Sequence, residues 1–150
     1  MCLITNLINL KKIFISSDHA GFKLKQRIIN YLSKKKMNCQ DLGPINDDRV
    51  DYPDYAHRVA KKVKMNKNNR GILVCGSGMG MSMAANRHKK IRAAVCYSVK
   101  NTKLSRLHNN ANIITLGSRL TKKNIAFKCI ETFINTKFEG GRHKKRVNKI

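Results

Sequence analysis

With 150 residues, the chain is the size of a single domain able to bury most of the surface its unfolded form exposes. Its formal charge of +24, from 32 basic and 8 acidic residues, invites a nucleic-acid or membrane partner, yet the basic residues are dispersed along the whole chain and 22 of the 32 are lysine. The charge is therefore read as solvated surface, with no specific nucleic acid and no membrane as partners, and no apolar stretch approaches the roughly 20 residues of a membrane span.

In chain order, residues 1–11 read as a short N-terminal extension, and residues 12–150 as one domain that includes a basic C-terminal tail. Lys12 to Ser17 is a short apolar strand. Gly21 to Lys35 follows as a helix with Leu24, Ile28, Tyr31 and Leu32 on one face. Met37 to Leu42 is a weaker strand, and a polar loop holding both prolines leads to a helix that Pro53 opens and that runs to about Met65. The cycle repeats as strand Gly71–Cys75 and helix Gly80–Lys89, then strand Ile91–Cys96 and helix Val99–Asn109, then strand Asn112–Leu116. A last helix, from about Thr121 to Asn135, carries an apolar stripe of Ala126, Cys129, Ile130, Phe133 and Ile134. Strict alternation of strand and helix predicts an α/β protein, a three-layer αβα sandwich with a Rossmann-like five-stranded parallel sheet. Ligands of such folds bind outside the carboxyl ends of the strands.

The five cysteines, Cys2, Cys39, Cys75, Cys96 and Cys129, are odd in number and scattered, without a CxxC pair. They predict reduced thiols in a cytoplasmic chain, with neither a disulfide frame nor a structural zinc site. Four stretches fall where the fold puts chemistry. In "SSDHAG" the Asp18–His19 pair is either an acid and base or a helix cap with a neighbour. In "GILVCGSGMGMSMAANR" closely spaced glycines let backbone N–H groups approach an oxyanion ahead of a helix. No acidic residue lies between Asp54 and Glu131, which argues for a small anion over a dinucleotide. Cys75, at the mouth of that loop, is either a core thiol ending a buried strand or a thiolate favoured by the helix terminus. His108 reads as a histidine at a helix C-terminus, followed by Asn109 and, beyond the next strand, Arg119. In the tail "EGGRHKKRV", Arg142 and Arg146 share a face suited to phosphate, or form a solvated basic end.

Together "SSDHAGFKLK", "DYPDYA", "GILVCGSGMGMSMAANR", "IRAAVC", "LSRLHNNANIITLGSR" and "FEGGRHKKRV" resemble the B-type ribose 5-phosphate isomerases, from about Lys12 to the C-terminus. The resemblance implies a cofactor-free, metal-free aldose–ketose isomerase that interconverts ribose 5-phosphate and ribulose 5-phosphate through an enediolate, acting as a homodimer or a dimer of dimers. By position Cys75 matches the base that moves a proton between C2 and C1, and His108 the acid that opens the furanose ring, with Asp18 and His19 on the facing wall. Gly76, Ser77, Gly78, Met79 and Gly80 match the loop that holds the enediolate oxygens. Tyr52 matches a pocket wall, and Asn109, Arg119, Arg142 and Arg146 match substrate-binding positions, the arginines chiefly for phosphate. His108, Asn109 and Arg119 are expected to reach across between subunits. Two other readings stand beside this one: an isomerase of a hexose 6-phosphate such as allose or galactose 6-phosphate, and a basic nucleic-acid-binding protein without catalysis.

Overall fold

The computed structural model describes residues 11–150, so Cys2 and all but the last residue of the expected N-terminal extension lie outside the described residues. Five parallel strands alternate with helices: β1 (Ile13–Ser17), α1 (Phe22–Lys34), β2 (Cys39–Asp41), α2 (Tyr52–Val63), β3 (Arg70–Cys75), α3 (Met79–Ala85), β4 (Ala93–Val95), α4 (Val99–Asn109), β5 (Ile113–Gly117), α5 (Lys123–Asn135) and α6 (Gly141–Val147). The sheet order is β2-β1-β3-β5-β4. The α/β sandwich is therefore as the alternation predicts.

Each central strand is buried on both faces, and the pleat sends successive residues to opposite sides. Ile72, Val74, Ile114 and Leu116 join Leu24, Ile28 and Leu32 of α1 and the α5 stripe in one core. Leu73, Cys75 and Ile113 join Ala56, Val59 and Val63 of α2 and Met81 of α3 in the other. The chain leaves β1 toward one edge of the sheet and returns beside it as β3 before crossing to the other edge. The β1/β3 boundary is thus the switch point where a ligand crevice opens at the strands' carboxyl ends.

Local differences from the sequence reading have local causes. The third helix stops at Ala85 rather than Lys89 because Asn86 turns its amide to the edge strand: its Nδ2 donates to Ala93 O (2.9 Å), and Ala93 N–H donates to its Oδ1 (2.7 Å). The fourth strand shrinks to Ala93–Val95 at the sheet edge, with β5 its sole strand neighbour. The basic tail forms a helix of its own, α6, which keeps Arg142 and Arg146 one turn apart.

In α1 the fully buried face includes Lys25, whereas Tyr31 is half-buried and stacks on Phe127 with ring centroids 4.2 Å apart. Lys25 Nζ donates to both Asp41 carboxylate oxygens (2.8 and 2.9 Å) and to Pro44 O (2.6 Å). Gly43 O in turn accepts from Ser16 Oγ (2.9 Å) and Ser17 N–H (3.2 Å). These bonds seat the Gly43–Pro44 turn on the end of β1 and set the path of the loop that leads to Tyr52.

Candidate active site

A cavity of about 290 Å³ opens at the carboxyl ends of β1, β3 and β5, walled by Asp18, His19, Tyr52, Cys75, Ser77 and Arg119 with Gly76 and Gly80. That volume sits at the small end of ligand pockets. Its floor is built by close backbone approaches. Gly21 abuts β3 so tightly that a Cβ there would lie 2.3 Å from Val74 O, and one on Gly117 would lie 2.7 Å from the Ser77 backbone.

Asp18 is buried, its N–H donating to Val74 O (3.1 Å) and its Oδ1 accepting from Gly21 N–H (2.9 Å). It therefore closes the turn before α1, whose N-cap position is Gly21 without a side-chain cap, and lines the cavity. The His19 ring is fixed by Nδ1 against the N–H and C=O of Val50 (3.3 and 3.2 Å). Tyr52, at the start of α2, packs its ring against Gly80, where a Cβ would meet it at 2.6 Å.

Cys75 ends β3 on the α2/α3 face and is 5% exposed. Gly78, in the left-handed region at φ +79°, donates its N–H to Cys75 Sγ at 3.0 Å. Met79 N–H donates to Ser77 Oγ (3.2 Å), so two of the loop's donors are engaged within it. The chain after β5 is laced to the same loop, Ser118 N–H donating to Cys75 O (2.8 Å) and Arg119 N–H to Gly76 O (3.1 Å). Burial pushes the thiols of Cys39 and Cys96 up to about 11, and raises Cys129. They remain protonated thiols near neutral pH.

Arg119, expected to reach across between subunits, instead sits in its own chain's cavity, its guanidinium 3.1 Å from where a Cβ on Gly76 would be. Met79 is half exposed and faces an adjoining apolar groove with Tyr97 and Leu120.

His108, Asn109, Arg142 and Arg146 are elsewhere. Helix α4 runs back against the sheet, so His108 in its last turn precedes the first residue of β5, whereas Cys75 pairs with Gly117, the last. His108 therefore lies toward the end of β5 opposite to the one beside Cys75 of the same chain. A capping box at Ser98 and Asn101 starts α4, and Asn110 at φ +48° ends it. Buried Arg106 fastens that end, donating from Nε to Thr136 O (3.1 Å) and from Nη1 to Ala111 O. His108 stacks on His143 of α6, centroids 4.2 Å apart, beside Glu139. Glu139 and His143 are not among the residues that the sequence motifs single out. Their four-residue spacing was visible, but their meeting with His108 depends on α6 folding back onto α4.

A cysteine, an arginine and a glycine loop brought together at a sheet switch point define an α/β fold with a crevice suited to a small anionic substrate. The sequence profile of the Ribose/Galactose Isomerase family matches residues 13–150, and the chain belongs to that family. It is 40% identical to the ribose-5-phosphate isomerase B of Escherichia coli, over 94% of this chain and 95% of that protein. A ribose 5-phosphate isomerase from Thermotoga maritima has the same fold with a TM-score of 0.90 at 47% identity, covering 93% of this chain and 96% of that one. Ribose-5-phosphate isomerase B from Mycoplasma genitalium, solved with bound ribulose-5-phosphate, gives 0.89 at 46% identity, with 92% of each chain covered.

Proposed function

We propose that this chain is a ribose-5-phosphate isomerase that interconverts D-ribose 5-phosphate and D-ribulose 5-phosphate, a step of the non-oxidative pentose phosphate pathway, with Cys75 as the proton-transferring base. The observation that carries the reading is the position of Cys75, held by Gly78 at the mouth of a glycine loop in a cavity that also holds Arg119. Removing the proton from C2 of the open-chain aldose leaves negative charge on the C1 and C2 oxygens, and returning it to C1 gives the ketose. The redox change is internal to the sugar, so the reaction calls for no cofactor. The base must be matched by donors where the charge develops, which is the task assigned to residues 76–80. Arg119, Arg142 and Arg146 hold the phosphate, and binding at that remote group orients the reacting carbons. The chain's positive charge speeds arrival of the anionic substrate.

The working unit in this reading is a homodimer. Two observations support it: His108 and Asn109 do not line the cavity that holds Cys75 of the same chain, and the groove beside that cavity is rimmed by exposed Met79, Tyr97 and Leu120. A second copy supplies His108 as ring-opening acid and Asn109, Arg142 and Arg146 to the pocket of the first. Residues 12–150 act as one isomerase domain. We assign the activity to the cytoplasm, where the free thiols of Cys39, Cys75, Cys96 and Cys129 stay reduced; no helix among the described residues is long and apolar enough to cross a membrane. The test is a coupled assay offering ribose 5-phosphate, allose 6-phosphate and galactose 6-phosphate side by side. The reading predicts that the pentose is converted with the highest kcat/KM, and a hexose preference would replace it.

A further inference from the structure

A lysine on the buried face of a helix asks for a reason. The Lys25 side chain has no exposed surface, and its three donors meet three acceptors: Asp41 Oδ1 (2.8 Å), Asp41 Oδ2 (2.9 Å) and Pro44 O (2.6 Å). Stability alone does not call for this arrangement. Taking an ammonium and a carboxylate out of water offsets much of their attraction, and well-packed apolar side chains often serve as well. An ammonium does what a methyl group cannot: it holds a side chain and a backbone carbonyl of one loop at fixed distances from α1.

Those acceptors lie at the root of the loop that leads to one wall of the Cys75 cavity. Leu42 N–H donates to Ile15 O (2.8 Å), Gly43 N–H donates to Asp41 Oδ1 (2.9 Å), and Gly43 O accepts from Ser16 Oγ and Ser17 N–H. Pro44 O on Lys25 is the last tie of this root. Residues 45–49 are exposed, and the one hydrogen bond they form among the described residues is internal, from Asp48 N–H to Asn46 Oδ1 (3.1 Å). The loop next meets the body at Val50, whose N–H and C=O stand 3.3 and 3.2 Å from His19 Nδ1. Two residues later Tyr52 opens α2.

We propose that Lys25 is a positioning residue for the Cys75 cavity: it fixes the root of this loop and thereby sets His19 and Tyr52 against the rest of the pocket. Lys25 does not line the cavity itself, so it acts through those two residues. Its place on α1 suits the task. The turn that carries His19 runs directly into α1, and the loop that holds the His19 ring springs from Pro44, so one ammonium joins both segments that meet at this histidine. The effect on turnover rests on the isomerase reading; the effect on His19 does not.

The experiment compares wild type with Lys25→Met well below the melting temperature of either, reading imidazole ¹⁵N–¹H spectra alongside kcat on ribose 5-phosphate. The His19 signals are expected to move while those of His57, His88, His108 and His143 stay in place. Turnover is expected to fall about tenfold or more, because small misplacements in a reacting site are costly. A residue that only stabilises the fold would lower the melting temperature and leave both readouts unchanged in the folded protein. Should Lys25→Met fail to fold, Asp41→Asn, at a side chain only two-thirds buried, loosens the same clamp and is expected to give the same pattern at smaller size. His19 signals that stay in place, or equal movement of all five histidines, overturn the proposal. Displaced His19 signals with an unchanged kcat overturn its bearing on turnover. A wild type without isomerase activity, beside displaced His19 signals in the variant, upholds the link to His19 and refutes the isomerase reading.

Discussion

The backbone N–H of Gly78 points at Cys75 Sγ from 3.0 Å, an approach that depends on a left-handed φ of +79°. A side chain at Gly78 meets both a conformational penalty of about 1–2 kcal/mol and the Leu116 carbonyl carbon, 3.0 Å from where its Cβ would lie. Gly78→Ala is expected to lower Tm by several degrees and to cut turnover about tenfold or more, since small displacements of reacting groups are costly. Thermal unfolding and steady-state kinetics check it, and an unchanged kcat would separate the Gly78 contact from catalysis.

The cysteines should differ in reactivity. With their thiols pushed up to about 11, Cys39 and Cys96 are lost as nucleophiles as the pH falls below that value. At pH 8 only about one part in a thousand of each is thiolate. In a Cys2→Ser background, iodoacetamide at pH 8 is expected to label Cys75 first, and ribulose 5-phosphate to slow that labelling. Peptide mapping by mass spectrometry reads the order, and labelling of half-buried Cys39 as fast as Cys75 would count against a special role for the latter.

Lys25 ties α1 to Asp41 and to the carbonyl of Pro44. Lys25→Met keeps the apolar stem but strands both acceptors. Asp41 is one-third exposed, so water relieves part of the loss, and the expected destabilisation is about 1–3 kcal/mol. Denaturant unfolding measures it, with stability equal to wild type as the opposing result.

Division of the site between two chains has a distinctive signature. Cys75→Ala and His108→Asn, each impaired alone on cyclic substrate, are expected to regain about a quarter of wild-type activity when unfolded, mixed equally and refolded, because half the dimers then hold one intact pocket. Additive residual activity, with no regain, would place both groups in one chain's chemistry.

Much of this arrangement was legible in the sequence, because strand and helix periods are local properties. The runs IFISS and RGILVC and the stripe from Ala126 to Ile134 declare their buried faces directly. Burial of Lys25 was not legible, since lysine reads as surface and its carboxylate partner comes from sixteen residues away. Helix α6 was hidden behind Gly140 and Gly141, whose positive φ values look like chain breaks yet serve here as the entry to a new helix. Placing Arg119 in its own chain's pocket needed the Ser118 and Arg119 backbone bonds to the glycine loop, which only the folded sheet supplies.

The most direct test of the account is the conversion of ribose 5-phosphate to ribulose 5-phosphate by the purified chain, measured with a chelator present and with Cys75→Ala beside it. The account predicts rapid conversion by wild type and a fall of about a thousandfold or more in the variant, with its melting temperature and substrate affinity nearly unchanged. A Cys75→Ala variant that turns over like wild type would contradict it.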